Sequence, residues 1–111
     1  MKNLSFGGAT ALLNKGQAVC RKGWNGKGLF VFRQVPATID WDIISKMQSL
    51  PERIKEIFDM RFGLEPISGG NLFIKYSNQL ALVDPDNNIT GWSPSTSDAL
   101  AEDWELYDPL E

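Results

Sequence analysis

The stretch Arg21-Lys22-Gly23-Trp24-Asn25-Gly26-Lys27-Gly28 constrains the fold more than any other, because a strand-like run stands on either side of it. Residues 17–21 precede it, and residues 28–34, rich in β-branched and aromatic side chains, follow. A short glycine-bearing connection between two such runs predicts a β-hairpin, with glycine supplying the turn conformations that other residues resist. Its eight positions also hold three glycines, three cations, an amide and the largest side chain. That inventory fits two readings. One is a glycine-rich turn with a single packed Trp; the other is a wall for a phosphorylated aromatic ligand, in which the indole stacks on a flat ring and glycine backbone and cations receive anionic groups. The stretch is neither a Walker A loop nor a dinucleotide fingerprint, since its spacing differs and it joins strand to strand.

Upstream, Ser5 is placed to cap a helix that carries Phe6, Ala9, Leu12 and Leu13 on roughly one face, with Lys15 in the last turn and Gly16 to stop it. In the second predicted strand Phe30 and Phe32 lie on one side and Leu29, Val31 and Arg33 on the other, so both faces are expected to be at least half covered. From Pro36 to about Gly70 the pattern turns helical. Trp41, Ile43, Ile44 and Met47 form one apolar stripe; Ser49 and Glu52 form a capping box around Pro51, and Ile54, Ile57 and Phe58 continue to a stop near Gly63. Ser68-Gly69-Gly70 reads as a turn or mobile loop. Residues 72–76 and 79–83 read as strands, and Asp84-Pro85-Asp86-Asn87-Asn88 turns the chain into a short strand at 89–92, making a second hairpin that carries Trp92. Ser95 or Ser97 can cap a short helix at 99–101, and the alternation of 103–107 predicts a closing strand with Trp104 and Leu106 in the core.

A chain of 111 residues is sized for one domain, 1–111, with residues 36–70 as a helical insertion, and needs neither disulfide nor metal to fold. The expected fold class is α+β: a small, twisted, mainly antiparallel sheet of two hairpins plus a C-terminal strand, with the N-terminal helix packed on it. No apolar run approaches a membrane span of about 20 residues, and the N-terminus lacks a signal peptide's apolar core, so a soluble cytoplasmic protein without membrane partners is expected. Its single Cys20 agrees with a reducing compartment.

Charge is distributed unevenly under a net −3: residues before Asp40 include no acid, and residues after Lys75 include no base. The two ends should attract. An acidic total disfavours a nucleic-acid polymer as partner, although a local basic cluster can still hold one small anion. With no histidine and one cysteine, the histidine-dependent nucleophile arrangements and the common zinc sites cannot be built, and a pair such as Asp98 and Asp103 is more simply a cap and a solvated end. The chain reads as a binding protein without cofactor or metal rather than an enzyme. Trp24 and Trp92 can sandwich or flank a base, Asn25 can read polar edges, Lys27 or Arg21 can meet a phosphate beside Gly26, and Ser97 and Asp98 can bind hydroxyls.

Taken in order, Ala18-Val19-Cys20-Arg21-Lys22-Gly23-Trp24-Asn25-Gly26-Lys27-Gly28, Gly91-Trp92-Ser93-Pro94-Ser95-Thr96-Ser97-Asp98 and Leu100-Ala101-Glu102-Asp103-Trp104 resemble the small phage and prophage Thoeris anti-defence type two family. The resemblance covers about 5–32 and 80–107. It implies a homo-oligomer, dimer or tetramer, that sequesters the cyclic nucleotide immune signal glyco-cyclic ADP-ribose without cleaving it; some members are thought to hold cyclic dinucleotides at a separate site. It points to Trp24, Asn25, Trp92, Ser97 and Asp98 as ligand contacts. The insertion at 36–70, which compact members largely lack, departs from the family pattern. It could cover the pocket, add an oligomer contact or change the ligand. An alternative of a different class makes the insertion a protein-binding module, with Trp41, Ile44, Ile54, Ile57 and Phe58 presenting an apolar groove.

Overall fold

The computed structural model describes residues 1–63 and 73–109. In chain order the elements are α1 (Phe6–Asn14), β1 (Val19–Arg21), a 3-10 turn (Lys22–Lys27), β2 (Phe30–Gln34), β3 (Ala37–Asp40), α2 (Trp41–Ile44), α3 (Glu52–Gly63), β4 (Phe73–Tyr76), β5 (Gln79–Val83), β6 (Ile89–Gly91), α4 (Thr96–Leu100) and β7 (Trp104–Leu106). The fold is α+β, and it forms two compact units, Met1–Val35 with Asn78–Glu111 and Pro36–Ser77.

In the first unit, the Ser5 hydroxyl accepts from the Gly8 N–H at 3.2 Å and starts α1. The helix ends because Gly16 adopts φ +84°, which lets Gln17 N–H reach the Leu12 carbonyl at 3.1 Å and Gly16 N–H reach Leu13 at 3.0 Å. These are the paired bonds of a Schellman ending, and glycine takes the left-handed φ at little steric cost. The apolar spacing then buries Ala9, Leu12 and Leu13 against Val19, Val31 and Trp104, with Phe6, Trp24 and Trp92 packed around that core.

The sheet runs β6-β5-β2-β1-β7, with every neighbouring pair antiparallel. It consists of the two expected hairpins, β1–β2 and β5–β6, joined through β2–β5, with the C-terminal strand on β1. The outer edge of β7 is covered by the N-terminal segment: Leu4 and Trp104 exchange backbone bonds at 2.8 and 3.1 Å, and Leu106 N–H donates to Met1 O at 3.0 Å. Cys20 and Glu105 are opposite one another in the β1–β7 register and both are buried. Burial, and then the Glu105 charge, push the Cys20 thiol up to about 11.

The second unit departs from the expected all-helical insertion. Ala37–Asp40 is a strand that pairs antiparallel with Phe73–Tyr76, Ile39 opposite Ile74, as a separate two-stranded sheet. Helical spacing had masked a β-branched pair, Thr38 and Ile39, whose partner lies some 35 residues away in sequence. The two expected helices are present on either side of Leu50 and Pro51. Ile44 is fully buried, Trp41 meets Phe62 edge-on at 5.5 Å, and Phe58 stacks on Phe62 at 6.3 Å. Ile44 is therefore a core residue of this unit and cannot line a groove open to a partner. Lys55 is buried in α3, donating to Ser45 O at 3.2 Å and Glu52 Oε1 at 3.1 Å. The turn expected at Ser68–Gly70 and the Leu72 start of β4 lie outside the described residues.

Candidate functional site

The hairpin between β1 and β2 does not open into a loose loop. Residues Lys22–Lys27 wind into a 3-10 turn, and the chain leaves it through Gly28 at φ +70°. This turn carries Trp24, Asn25, Gly26 and Lys27. A Cβ placed on Gly23 or Gly26 would meet no atom within 4 Å, so packing inside the chain does not require either glycine. Bare backbone at these positions leaves room for a group approaching from outside.

Trp24 and Trp92 come together from the two hairpins, but not as parallel jaws. Their centroids are 6.1 Å apart at 87°, and each also meets the buried Trp104 edge-on, at 5.3 Å and 79° for Trp24 and 6.0 Å and 78° for Trp92. Phe6 closes the cluster at 5.5 Å from Trp104. Edge-to-face contact stabilises such a cluster and leaves no slot between the two outer rings. The sandwich arrangement is thus excluded in this conformation, and a base can stack only on an outward face of a half-buried Trp24 or Trp92.

Ser97 and Asp98 arrive on α4, which Ser95 caps. The Ser95 hydroxyl accepts from Asp98 N–H at 3.1 Å and Asp98 Oδ2 accepts from Ser95 N–H at 3.0 Å, a reciprocal capping box. Three further bonds fix the turn to the sheet. Trp104 Nε1 donates to Asp98 O at 2.9 Å, and Arg21 Nη1 donates to Asp98 Oδ1 at 3.1 Å and to Ser97 Oγ at 3.3 Å. Arg21 also holds Asp103, Nε to Oδ1 at 2.9 Å and Nη2 to Oδ2 at 3.5 Å. The attraction expected between the basic and acidic ends is realised here. Hydrogen bonds to Asp103 and then Asp98 raise the Arg21 pKa further. Burial works to raise the Asp98 carboxyl, but the Ser95 N–H and hydroxyl, with Arg21, outweigh it and hold it below the usual carboxylate range.

Arg21 is consequently committed to two carboxylates and not free to receive a phosphate. Lys22 and Lys27 are exposed and have no ion pair among the described residues. The sequence left Arg21 two employments, a phosphate contact in place of Lys27 or a pairing with the acidic C-terminal run, and the structure shows the pairing. A cleft of about 320 Å³ in the same unit is lined by Asn14, Arg33, Asn78, Gln79 and Leu80, and a cleft of about 210 Å³ in the second unit by Trp41, Ser45, Glu52, Lys55, Glu56 and Asp59. Neither includes a predicted contact residue. Among the described residues, no three His, Cys, Asp or Glu side chains stand where they could hold a metal ion.

Residues 4–107 match the Thoeris anti-defense 2-like domain, nearly the whole described chain. The chain belongs to the Thoeris anti-defense 2 family. A relative named Thoeris anti-defense 2, from Bacillus phage SP01, is 35% identical over 106 residues, covering 93% of each chain. Membership of the Thoeris anti-defense 2 family supports a phage anti-defence role. No described helix is long and apolar enough to cross a membrane.

Proposed function

We propose that this Thoeris anti-defense 2 family member acts by holding a cyclic nucleotide immune signal, glyco-cyclic ADP-ribose, and removing it from the free pool without breaking a bond. The observation that supports the reading is the meeting of Trp24 and Trp92 over the buried Trp104, beside a turn with open glycine backbone. In this proposal the outward face of Trp24 or Trp92 stacks on the base. The exposed Lys27 meets phosphate, Gly26 lets phosphate or ribose approach the backbone, and Asn25 supplies an amide to a polar edge. Ser97 offers a hydroxyl. Asp98 keeps unused lone-pair positions on oxygens that each take one bond, and these accept from ribose hydroxyls. Tight holding requires a Kd of roughly nanomolar, about −12 kcal/mol, to empty a dilute pool.

The chemistry of the chain favours binding over turnover, because it has no histidine and its candidate carboxylates, Asp98 and Asp103, are engaged as structural acceptors of Arg21. The proposal places the protein in the host cytoplasm as a homo-oligomer, with no nucleic-acid polymer or membrane as partner; a cyclic dinucleotide is the alternative ligand. Tryptophan fluorescence titrated with glyco-cyclic ADP-ribose tests it. Replacing Trp24 by Ala is expected to weaken binding by on the order of 1–3 kcal/mol, roughly fivefold to 150-fold. An unchanged Kd in a folded Trp24→Ala protein would remove Trp24 from the site.

A further inference from the structure

Arg33 in β2 stands opposite Leu80 in β5, two residues along from the Val31–Leu82 pair, so the four side chains share one face of the five-stranded sheet. α1 packs on Val31 and ends at Asn14, where Gly16 turns the chain away. The sheet face past that end is not covered by the helix, and the cleft of about 320 Å³ lies there, lined by Asn14, Arg33, Asn78, Gln79 and Leu80.

The lining has one consistent chemistry. Its single charge is the Arg33 guanidinium, and none of the five residues is acidic. Arg33 Nη1 donates to Asn14 Oδ1 at 2.9 Å, which holds the guanidinium to the end of α1. The opposite edge, Nε with Nη2, has no partner among the described residues. That edge presents two parallel N–H groups, the fork that matches the two oxygens of a carboxylate. The last carbonyls of α1 are already satisfied, Leu12 O by Lys15 and Gln17 N–H and Leu13 O by Gly16 N–H. Around the fork, the amides of Asn14, Asn78 and Gln79 offer donors and acceptors, with Gln79 held by Gln34 at 2.9 Å, and the half-buried Leu80 offers an apolar contact. No aromatic ring lines the cleft, so a base has no face to stack on. One guanidinium also balances the single charge of a carboxylate better than the charge of about −1.5 to −2 on a phosphate monoester.

We propose that this cleft is a second ligand site that takes a small organic acid. The carboxylate sits on the Arg33 fork, a neighbouring amide or hydroxyl pairs with the Asn14, Asn78 and Gln79 amides, and a short aliphatic part rests on Leu80. The site shares no residue with the Trp24 and Trp92 face, and the proposal stands whether or not nucleotide sequestration holds.

N-acetylalanine carries all three parts and is the probe. N-acetylalaninamide replaces its carboxylate by a neutral amide, and inorganic phosphate replaces the organic acid altogether. NMR of the full chain reads the side-chain amides of Asn14, Asn78 and Gln79 and the Arg33 Nε–H. Saturable shifts at these groups are expected with N-acetylalanine at a Kd on the order of 1 mM, while the indole N–H signals of Trp24 and Trp92 stay in place. Arg33→Gln is expected to weaken binding about tenfold or more, and Arg33→Lys, which keeps the charge and loses the fork, about threefold or more. Arg33 is exposed, so both variants should keep the wild-type Tm, and the comparison of acid with neutral amide needs no variant at all. No saturable shift up to about 20 mM, equal binding of N-acetylalaninamide, tighter binding of phosphate, or unchanged binding by Arg33→Gln would each overturn the proposal.

Discussion

Replacing Arg21 by Met keeps most of the side chain's apolar stem and removes its charge, which isolates the ion-pair node that ties β1 to α4. The side chains are 23% exposed for Arg21, 13% for Asp98 and 37% for Asp103. The Asp103 arm is wet enough for solvent to screen most of its attraction, leaving about 0.5 kcal/mol. The drier Asp98 arm, a charged hydrogen bond at 3.1 Å, contributes about 1–1.5 kcal/mol. Arg21→Met should therefore cost about 1.5–2 kcal/mol, a fall in Tm of roughly 6–8 °C for a chain this size. Urea denaturation of Arg21→Met, Asp98→Asn and the double variant should give a coupling of about 1 kcal/mol. The pH dependence follows from Asp98. Its folded pKa lies below the unfolded value near 3.9, so its contribution is complete above that pH and is lost as pH falls through the folded value. The gap between wild type and Arg21→Met is expected to hold from about pH 7 to 5 and to narrow below about pH 4. Coupling under about 0.3 kcal/mol, or a gap as wide at pH 3 as at pH 7, would refute the assignment of Arg21 as a partly buried tie.

Further outcomes concern the core beneath the site. Trp104→Phe removes the indole N–H bonded to Asp98 O at 2.9 Å and leaves unfilled volume in a fully buried position, so urea unfolding should show a loss of about 2–3 kcal/mol; a loss under about 0.5 kcal/mol would contradict the placement. Cys20 is buried with its thiol pushed up to about 11, and a maleimide reagent at pH 7 should label it only as fast as the protein opens. Labelling at the rate of a free thiol without denaturant would count against that burial.

Local chemistry carried much of the architecture into the sequence. Ser5 and Gly16 act through bonds to residues within a turn or two and could be placed from spacing alone, whereas spacing left the last cap open between Ser95 and Ser97 and the structure gives it to Ser95, with the helix starting at Thr96 instead of 99. Both hairpins were likewise visible, because turn residues and alternating strands are close in sequence. The β3–β4 pair was not, since Thr38 and Ile39 resemble a helix flank until Lys75 and Ile74 are brought beside them. Of the candidate site, the sequence showed the residue types but not their arrangement. Residue type marked Trp24, Trp92, Ser97 and Asp98, and the fold gathers them in one unit. Ring orientation and the capture of Arg21 by Asp98 and Asp103 depend on tertiary packing, for which single positions give no signal. The glycines at 23 and 26 were expected to allow a turn. A Cβ at either position would meet nothing within 4 Å, so contacts inside the chain do not require glycine there.

The central claim is sequestration without turnover, and one experiment reads both halves. The protein is titrated calorimetrically with glyco-cyclic ADP-ribose, freed of unbound ligand and heat-denatured, and the released small molecule is chromatographed against the starting compound. Saturable binding at a Kd of roughly nanomolar, followed by recovery of the unaltered ligand, is the predicted result. Absence of binding heat together with no rise in Tm at excess ligand, or recovery of a cleaved product, would contradict it.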